Sequence, residues 1–123
     1  PRFLVAKECT ISPVYKEKIL KAKDICTIST GRRLGHPVRA LKTPFSRELA
    51  HMEYDPNVTD EEFEKYGVGA VRKAAREGDA QHGSFLAGQV AAMVNKEQTC
   101  KESSEERFTQ GEQVLGGAMK WVK

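Results

Sequence analysis

The stretch GSFLAGQVAAMV, residues 83–94, gathers residue types suited to recognition. Gly83 and Ser84 precede an apolar run, and Gly88 and Gln89 interrupt it. The spacing predicts a helix from Ser84 to about Lys96, with Ser84 as its N-cap. A glycine inside a helix costs about 1 kcal/mol relative to alanine. A glutamine among apolar neighbours must find hydrogen-bond partners if it is buried. A neighbouring group has to offset both costs.

Other chemistry is thinly represented. Cys9, Cys26 and Cys100 are scattered, with no CxxC spacing, which argues against a disulfide framework and fits a reducing, cytoplasmic compartment. His36, His51 and His82 lie far apart, none at ligand spacing to another His or Cys, so no metal site is expected. Charge is uneven although the net is only +3. Arg32, Arg33, Arg39, Lys42 and Arg47 fall in a stretch without acids. Glu48, Glu53, Asp55, Asp60, Glu61, Glu62 and Glu64 follow in one without bases. Either the two stretches face and neutralise each other, or the basic one is a surface for an acidic partner or a phosphate. Interleaved aromatics and a larger positive excess, the marks of a nucleic-acid surface, are missing.

The elements that would position these residues read as follows. Arg2 to Ala6 is an apolar run of strand character. Ser12-Pro13 opens a helix carrying Tyr15, Ile19 and Ala22 on one side, with Lys16, Lys18, Lys21 and Lys23 as a solvated face. Residues 25–29 and 38–42 are strand-like and flank the turn-rich GRRLGHP. Ser46 starts a helix that Asp55-Pro56-Asn57 breaks. Thr59 to Glu62 and Thr99 to Glu102 are capping boxes for two more helices. Residues 68–77 are helical and close at Gly78. The inventory is about six helices and three short strands.

At 123 residues the chain fits one domain, and its apolar content of 39% makes the core thin. No apolar run approaches the ~20 residues that cross a bilayer, so neither membrane association nor an export leader is expected.

Several segments resemble one family when taken in order: RFLVAKE, YKEKILKAKDI, GHPVRALK, GVGAVRKAAREGD, GSFLAGQVA and KEQTCKE. The sequence resembles the flavin-dependent enoyl-acyl-carrier-protein reductase II proteins, close relatives of the nitronate monooxygenases. The likeness weakens after about residue 105. It implies an α/β fold class. The chain would be the C-terminal fragment of a (β/α)8 TIM-barrel flavoprotein with a small α+β inserted domain. The fragment itself would be mainly helical with a few short strands. Residues 1–7 would be the remnant of the last barrel strand, 8–80 the inserted domain, and 81–123 the helices returning to the barrel. The remaining, N-terminal part of the barrel would be the first partner, and a homodimer fits the family.

The resemblance further implies FMN as cofactor and NADH or NADPH as electron donor. The family's catalytic histidine lies upstream of this chain, so no catalytic residue is assigned here. Gly83, Ser84, Gly88 and Gln89 would border the flavin, and Leu86 the acyl pocket, where the family often has Met. The plainer alternative is that Ser84 only caps and Gly88 only packs. Acyl carrier protein is the implied substrate carrier, and Arg32, Arg33 and Arg39 would form its dock. The activity implied is reduction of the trans-2 double bond of an enoyl chain. The alternatives are nitronate monooxygenase chemistry on the same flavin, or a non-catalytic binding module. Ser103 and Ser104 depart from the family, whose members carry apolar residues there. Two hydroxyls at core sites would forfeit roughly 2 to 5 kcal/mol.

Overall fold

In the computed structural model, which describes residues 1–121, the chain opens as a 3-10 helix over Arg2–Val5 rather than as a strand. Among the described residues no strand lies beside the apolar run to take its backbone groups. Instead the Leu4 and Val5 N–H groups turn back to the Pro1 carbonyl, at 3.0 and 3.3 Å. Val5 still reaches the core, at 2% exposure.

Helix α1 spans Pro13–Leu20, with proline in the first turn, where its missing N–H costs nothing. Ser12 holds the N-cap position without a side-chain bond. Its own N–H donates to the Ala75 carbonyl at 2.8 Å, which ties α1 to the later helical turns. Tyr15 and Ile19 point inward.

Strands β1, Thr27–Thr30, and β2, Val38–Leu41, pair antiparallel with Thr27 opposite Leu41 and Thr30 opposite Val38. The turn between them depends on Gly31, whose φ is +85° and where a Cβ would stand 2.7 Å from the His36 carbonyl oxygen. That turn is held from outside. The Glu53 carboxylate, almost wholly buried, accepts the Gly31 N–H at 3.1 Å and the Arg33 N–H at 3.0 Å.

Glu53 is carried by α2, Pro44–Tyr54. The helix begins two residues before the predicted Ser46. Thr43 is the N-cap, and Ser46 completes the box with it, its N–H donating to Thr43 Oγ1 at 3.2 Å. Helix α3, Asp60–Gly67, starts at the predicted Thr59 and Glu62 box. The two helices meet through Phe45 and Tyr66, stacked with ring centroids 5.2 Å apart. Burial, reinforced by the Glu48 carboxylate, pushes the Tyr66 phenol up to about 12. Helix α4, Ala70–Arg72, widens into a π-helical turn over Lys73–Glu77 and ends at Gly78. The last helix, α5, covers Cys100–Ala118 behind the Thr99 and Glu102 box.

The core is one cluster drawn from all three stretches that the family resemblance implies, with bounds at residues 7 and 80. Val5, Tyr15, Ile19, Leu41, Ala74, Phe85, Ala87, Ala91 and Val94 pack together. Of the departures in α5, Ser104 returns its hydroxyl to the Cys100 carbonyl at 2.8 Å. Ser103 is buried with no partner for its hydroxyl. Beside it Arg2 Nη1 lies 3.6 Å from Glu106 Oε2, an ion pair too long to be a hydrogen bond. Among the described residues no helix is long and apolar enough to cross a membrane.

Glu53→Ala removes the acceptor for two turn amides, one of them buried, and should lower stability by about 2 to 4 kcal/mol in urea unfolding. Glu53→Gln keeps one acceptor oxygen and should lose about half as much. Parental stability in Glu53→Gln would show that the side chain's bulk, not its paired acceptor oxygens, holds the turn.

Candidate functional site

The segment that the sequence predicts as a helix from Ser84 is extended. Phe85 to Ala87 lie along the free edge of β2. The Leu41 N–H donates to the Phe85 carbonyl at 2.8 Å, the Ala87 N–H donates to the Arg39 carbonyl at 3.1 Å, and Leu86 bridges Ala40 antiparallel. An edge strand offers unpaired backbone groups to whatever segment can reach them, and that satisfaction overrides the helical periodicity. The helical part shrinks to a 3-10 turn over Gln89–Met93. Ser84 therefore caps no helix, and its N–H donates to the Ala70 carbonyl at 2.9 Å. Gly88 escapes the expected helical penalty, because it sits extended at φ −74° and ψ 171°.

Phe85 anchors the segment with 0% exposure. Its ring centroid is 4.9 Å from that of Tyr15, and Lys18 Nζ lies 5.2 Å over its face. The Tyr15 hydroxyl donates to the Leu86 carbonyl at 2.8 Å. Burial pushes that phenol up to about 12, so it stays a neutral donor.

Gly83 and Gly88 serve opposite ends of this segment. A Cβ on Gly83 would stand 2.4 Å from the Asp79 carbonyl oxygen and 2.9 Å from Ala74 Cα, so Gly83 seats the segment against the π-helical turn. Asp79 shapes the approach. Its carboxylate accepts the Gln81 and His82 N–H groups at 2.9 and 3.0 Å, and those bonds, that from His82 first, draw its pKa down to about 2. A Cβ on Gly88 would meet nothing within 4 Å. Gln89 beside it is exposed and lines a cleft of about 380 Å³ with Ile25, Thr27, Arg39 and Lys42.

That cleft brings together Gln89 and Arg39, residues that the sequence assigns to separate tasks. Arg39 is half-buried and donates from Nη1 to Thr27 Oγ1 at 3.2 Å. Ile25 adds a feature the sequence hides: it is 87% exposed and sits at φ +54°. Left-handed backbone in a β-branched residue is strained, and such strain concentrates at ligand sites and switches. Nothing in a strand-like run of residues signals it.

The basic stretch divides. Arg33 is committed internally: its Nε contacts Asp60 Oδ1, and its Nη2 donates to the Val58 carbonyl at 2.6 Å. Here the acidic and basic stretches do face each other. Arg32 stays exposed. Leu86 is half-buried on the added strand. Among the described residues no group of three or more His, Cys, Asp or Glu is placed to hold a metal ion.

Two short strands extended by an edge segment and surrounded by helices make the chain mainly helical, as the sequence predicts, and by its structural match it is part of a (β/α)8-barrel flavoprotein. Residues 1–106 match the family model for nitronate monooxygenase, and the chain belongs to that family of oxidoreductases. It is similar to the structure of FabK from Thermotoga maritima, with 36% identity and a TM-score of 0.91, over 98% of this chain and 38% of that one. A mutant of the same protein matches at 32% identity and a TM-score of 0.81, over 98% of this chain and 35% of that one. A probable nitronate monooxygenase of Staphylococcus saprophyticus is 31% identical over 93 residues, 75% of this chain and 26% of that protein. The chain thus spans well under half the length of these relatives.

Opposite outcomes are expected for the two glycines. Gly83→Ala should destabilise by about 1 to 3 kcal/mol through overpacking. Gly88→Ala should be neutral or stabilise by up to about 1 kcal/mol, since its backbone suits any residue. Urea midpoints of the two variants test this, and similar losses at both sites would refute the assignment.

Proposed function

We propose that the chain is part of an FMN-dependent oxidoreductase that reduces the trans-2 double bond of an enoyl chain on acyl carrier protein, with NADH or NADPH as donor. The observation that carries this reading is the similarity to FabK over nearly the whole chain. It agrees with the reductase-like GHPVRALK and GSFLAGQVA segments. A second reading, nitronate oxidation on the same flavin, draws on the family model over residues 1–106 and on the Staphylococcus relative. Fold alone does not separate the two, because chemistry resides in the site.

The residues present fit a flavin in a restricted way. Gly83 is enclosed by Ala74 and Asp79, and Ser84 is buried. These two support the segment from behind. Gly88 has open space where a side chain would be, and Gln89 has an exposed amide beside it. A flat ring can approach the first while its polar edge takes a donor or acceptor from the second. FMN, when bound, supplies the redox chemistry, and the protein contributes binding and orientation. Leu86, half-buried on the added strand, would offer apolar surface to an acyl chain.

For the carrier, the reading narrows to Arg32 and the half-buried Arg39, because Arg33 is held by Asp60 and the Val58 carbonyl. Carrier proteins are acidic, and a rim charge acts chiefly on encounter and salt dependence.

The complete protein should oxidise reduced nicotinamide with a crotonyl thioester and should not consume oxygen with propyl nitronate. The reverse pattern would give the second reading. Gly88→Ala in that protein should weaken FMN retention about tenfold or more while leaving folding stability intact. Retention equal to that of the parent would remove Gly88 from the cofactor side.

The dock has its own test. Arg32→Glu should raise KM severalfold at low salt for carrier-bound substrate and leave KM for a carrier-free thioester unchanged. If both KM values and the salt slope stay put, the carrier does not dock there.

A further inference from the structure

The lysines of α1, which periodicity reads as a solvated face, do not simply fan into solvent. Between the C-terminal half of α1 and the end of β2 lies a cleft of about 520 Å³. Its floor is apolar: Val14, Ala22 and Cys26 are partly buried against the core, and Leu41 is 5% exposed. Its rim carries Lys18, Lys21, Lys23 and Lys42. One acid, Glu17, reaches the same cleft, and it is paired with Lys21 one turn along the helix. Among the described residues Lys18, Lys23 and Lys42 have no acidic partner within ion-pair distance.

Converging ammonium groups repel one another, and a ligand that brings the opposite charge relieves that cost. Lysine is a point charge on a flexible stem, so it selects charge over a planar, bidentate geometry. The apolar floor asks for a hydrocarbon body. The volume falls in the range of small-molecule sites. No aromatic side chain lines the cleft, which leaves nothing for nucleic-acid bases to stack on.

We infer that this cleft binds a small amphiphilic anion, its apolar body on Val14, Cys26 and Leu41 and its phosphate or carboxylate among Lys18, Lys23 and Lys42. The inference is independent of which flavin reaction the whole protein carries out. The cleft is separate from the Gly88 and Gln89 surface, although Lys42 stands at the edge of both.

Cys26 provides the readout, because its half-buried thiol lies in the floor while Cys9 and Cys100 lie outside this cleft. The chain is treated with the neutral reagent 4,4′-dithiodipyridine, and modification of each cysteine is followed by peptide mass analysis. Octyl phosphate and octanoate should each slow Cys26 and leave Cys9 and Cys100 unchanged. Whichever protects at lower concentration identifies the preferred head group. Octanol and inorganic phosphate at the same concentrations should slow none of the three. In Lys18→Gln/Lys23→Gln/Lys42→Gln the protecting concentration should rise about tenfold. The same charge change at Lys96, Lys101 and Lys120 should leave it unaltered. Protection by octanol equal to that by octyl phosphate would overturn the inference, as would equal slowing of all three cysteines or full protection of the cleft variant.

Discussion

Backbone pairing between β2 and the segment Phe85 to Ala87 is the constraint on which the rest of the architecture depends. A two-stranded hairpin alone is marginal in water. The added segment supplies a third row of hydrogen bonds and drives Phe85 into the centre of the core, where Tyr15 and Lys18 of α1 close over it. The Tyr15 hydroxyl then returns to the Leu86 carbonyl, so α1 is fastened to the same segment twice, once by packing and once by a hydrogen bond. Gly83 makes this possible from the other end, since a side chain there would push the segment off the π-helical turn. The face carrying Gly88 and Gln89 is therefore placed by groups that all lie behind it.

Electrostatics does related work on the opposite side of the hairpin. Glu53 reaches from α2 to hold the Gly31 turn, and Arg33 reaches from that turn to Asp60 and the Val58 carbonyl at the start of α3. Sequence blocks of opposite sign become a cross-strapped unit of turn, α2 and α3. The net charge is small because the blocks cancel, and the positive potential that is left is displaced to the lysines in and just after α1 and to Lys42 beyond β2. These carry no comparable acidic block in front of them.

Legibility in the sequence followed the range of the forces involved. The capping boxes at Thr59 and Thr99, the Ser12-Pro13 helix start and the hairpin across GRRLGHP are local, and each stands where the sequence puts it. Arg2 to Val5 and Ser84 to Lys96 depart from their local pattern because their state is set by pairing outside the segment itself. The first finds no strand and coils; the second finds the edge of β2 and extends. The same holds at the candidate site. The sequence reads Gly88 and Gln89 as exceptional for a helical penalty that the structure does not impose. Ile25 was passed over, because a φ of +54° leaves no mark on a β-branched run.

The 3-10 turn that follows Gly88 answers why so apolar a segment is interrupted by glycine and glutamine. With three residues per turn, positions three apart share a face. Ala91 and Val94 face inward and are buried in the core cluster. Val90 and Met93 face outward, 56% and 73% exposed, and share a cleft of about 500 Å³ with the half-exposed Phe3. Both faces are thus apolar, and among the described residues only one is covered. A surface helix ordinarily sets a polar face against an apolar one, and contiguous apolar surface of this kind marks an interaction site. Gly88 and Gln89 lead into that uncovered face, the first by removing bulk and the second by offering an amide. The glycine and the glutamine thus stand where the chain leaves the edge of β2 for a turn that is apolar on both faces.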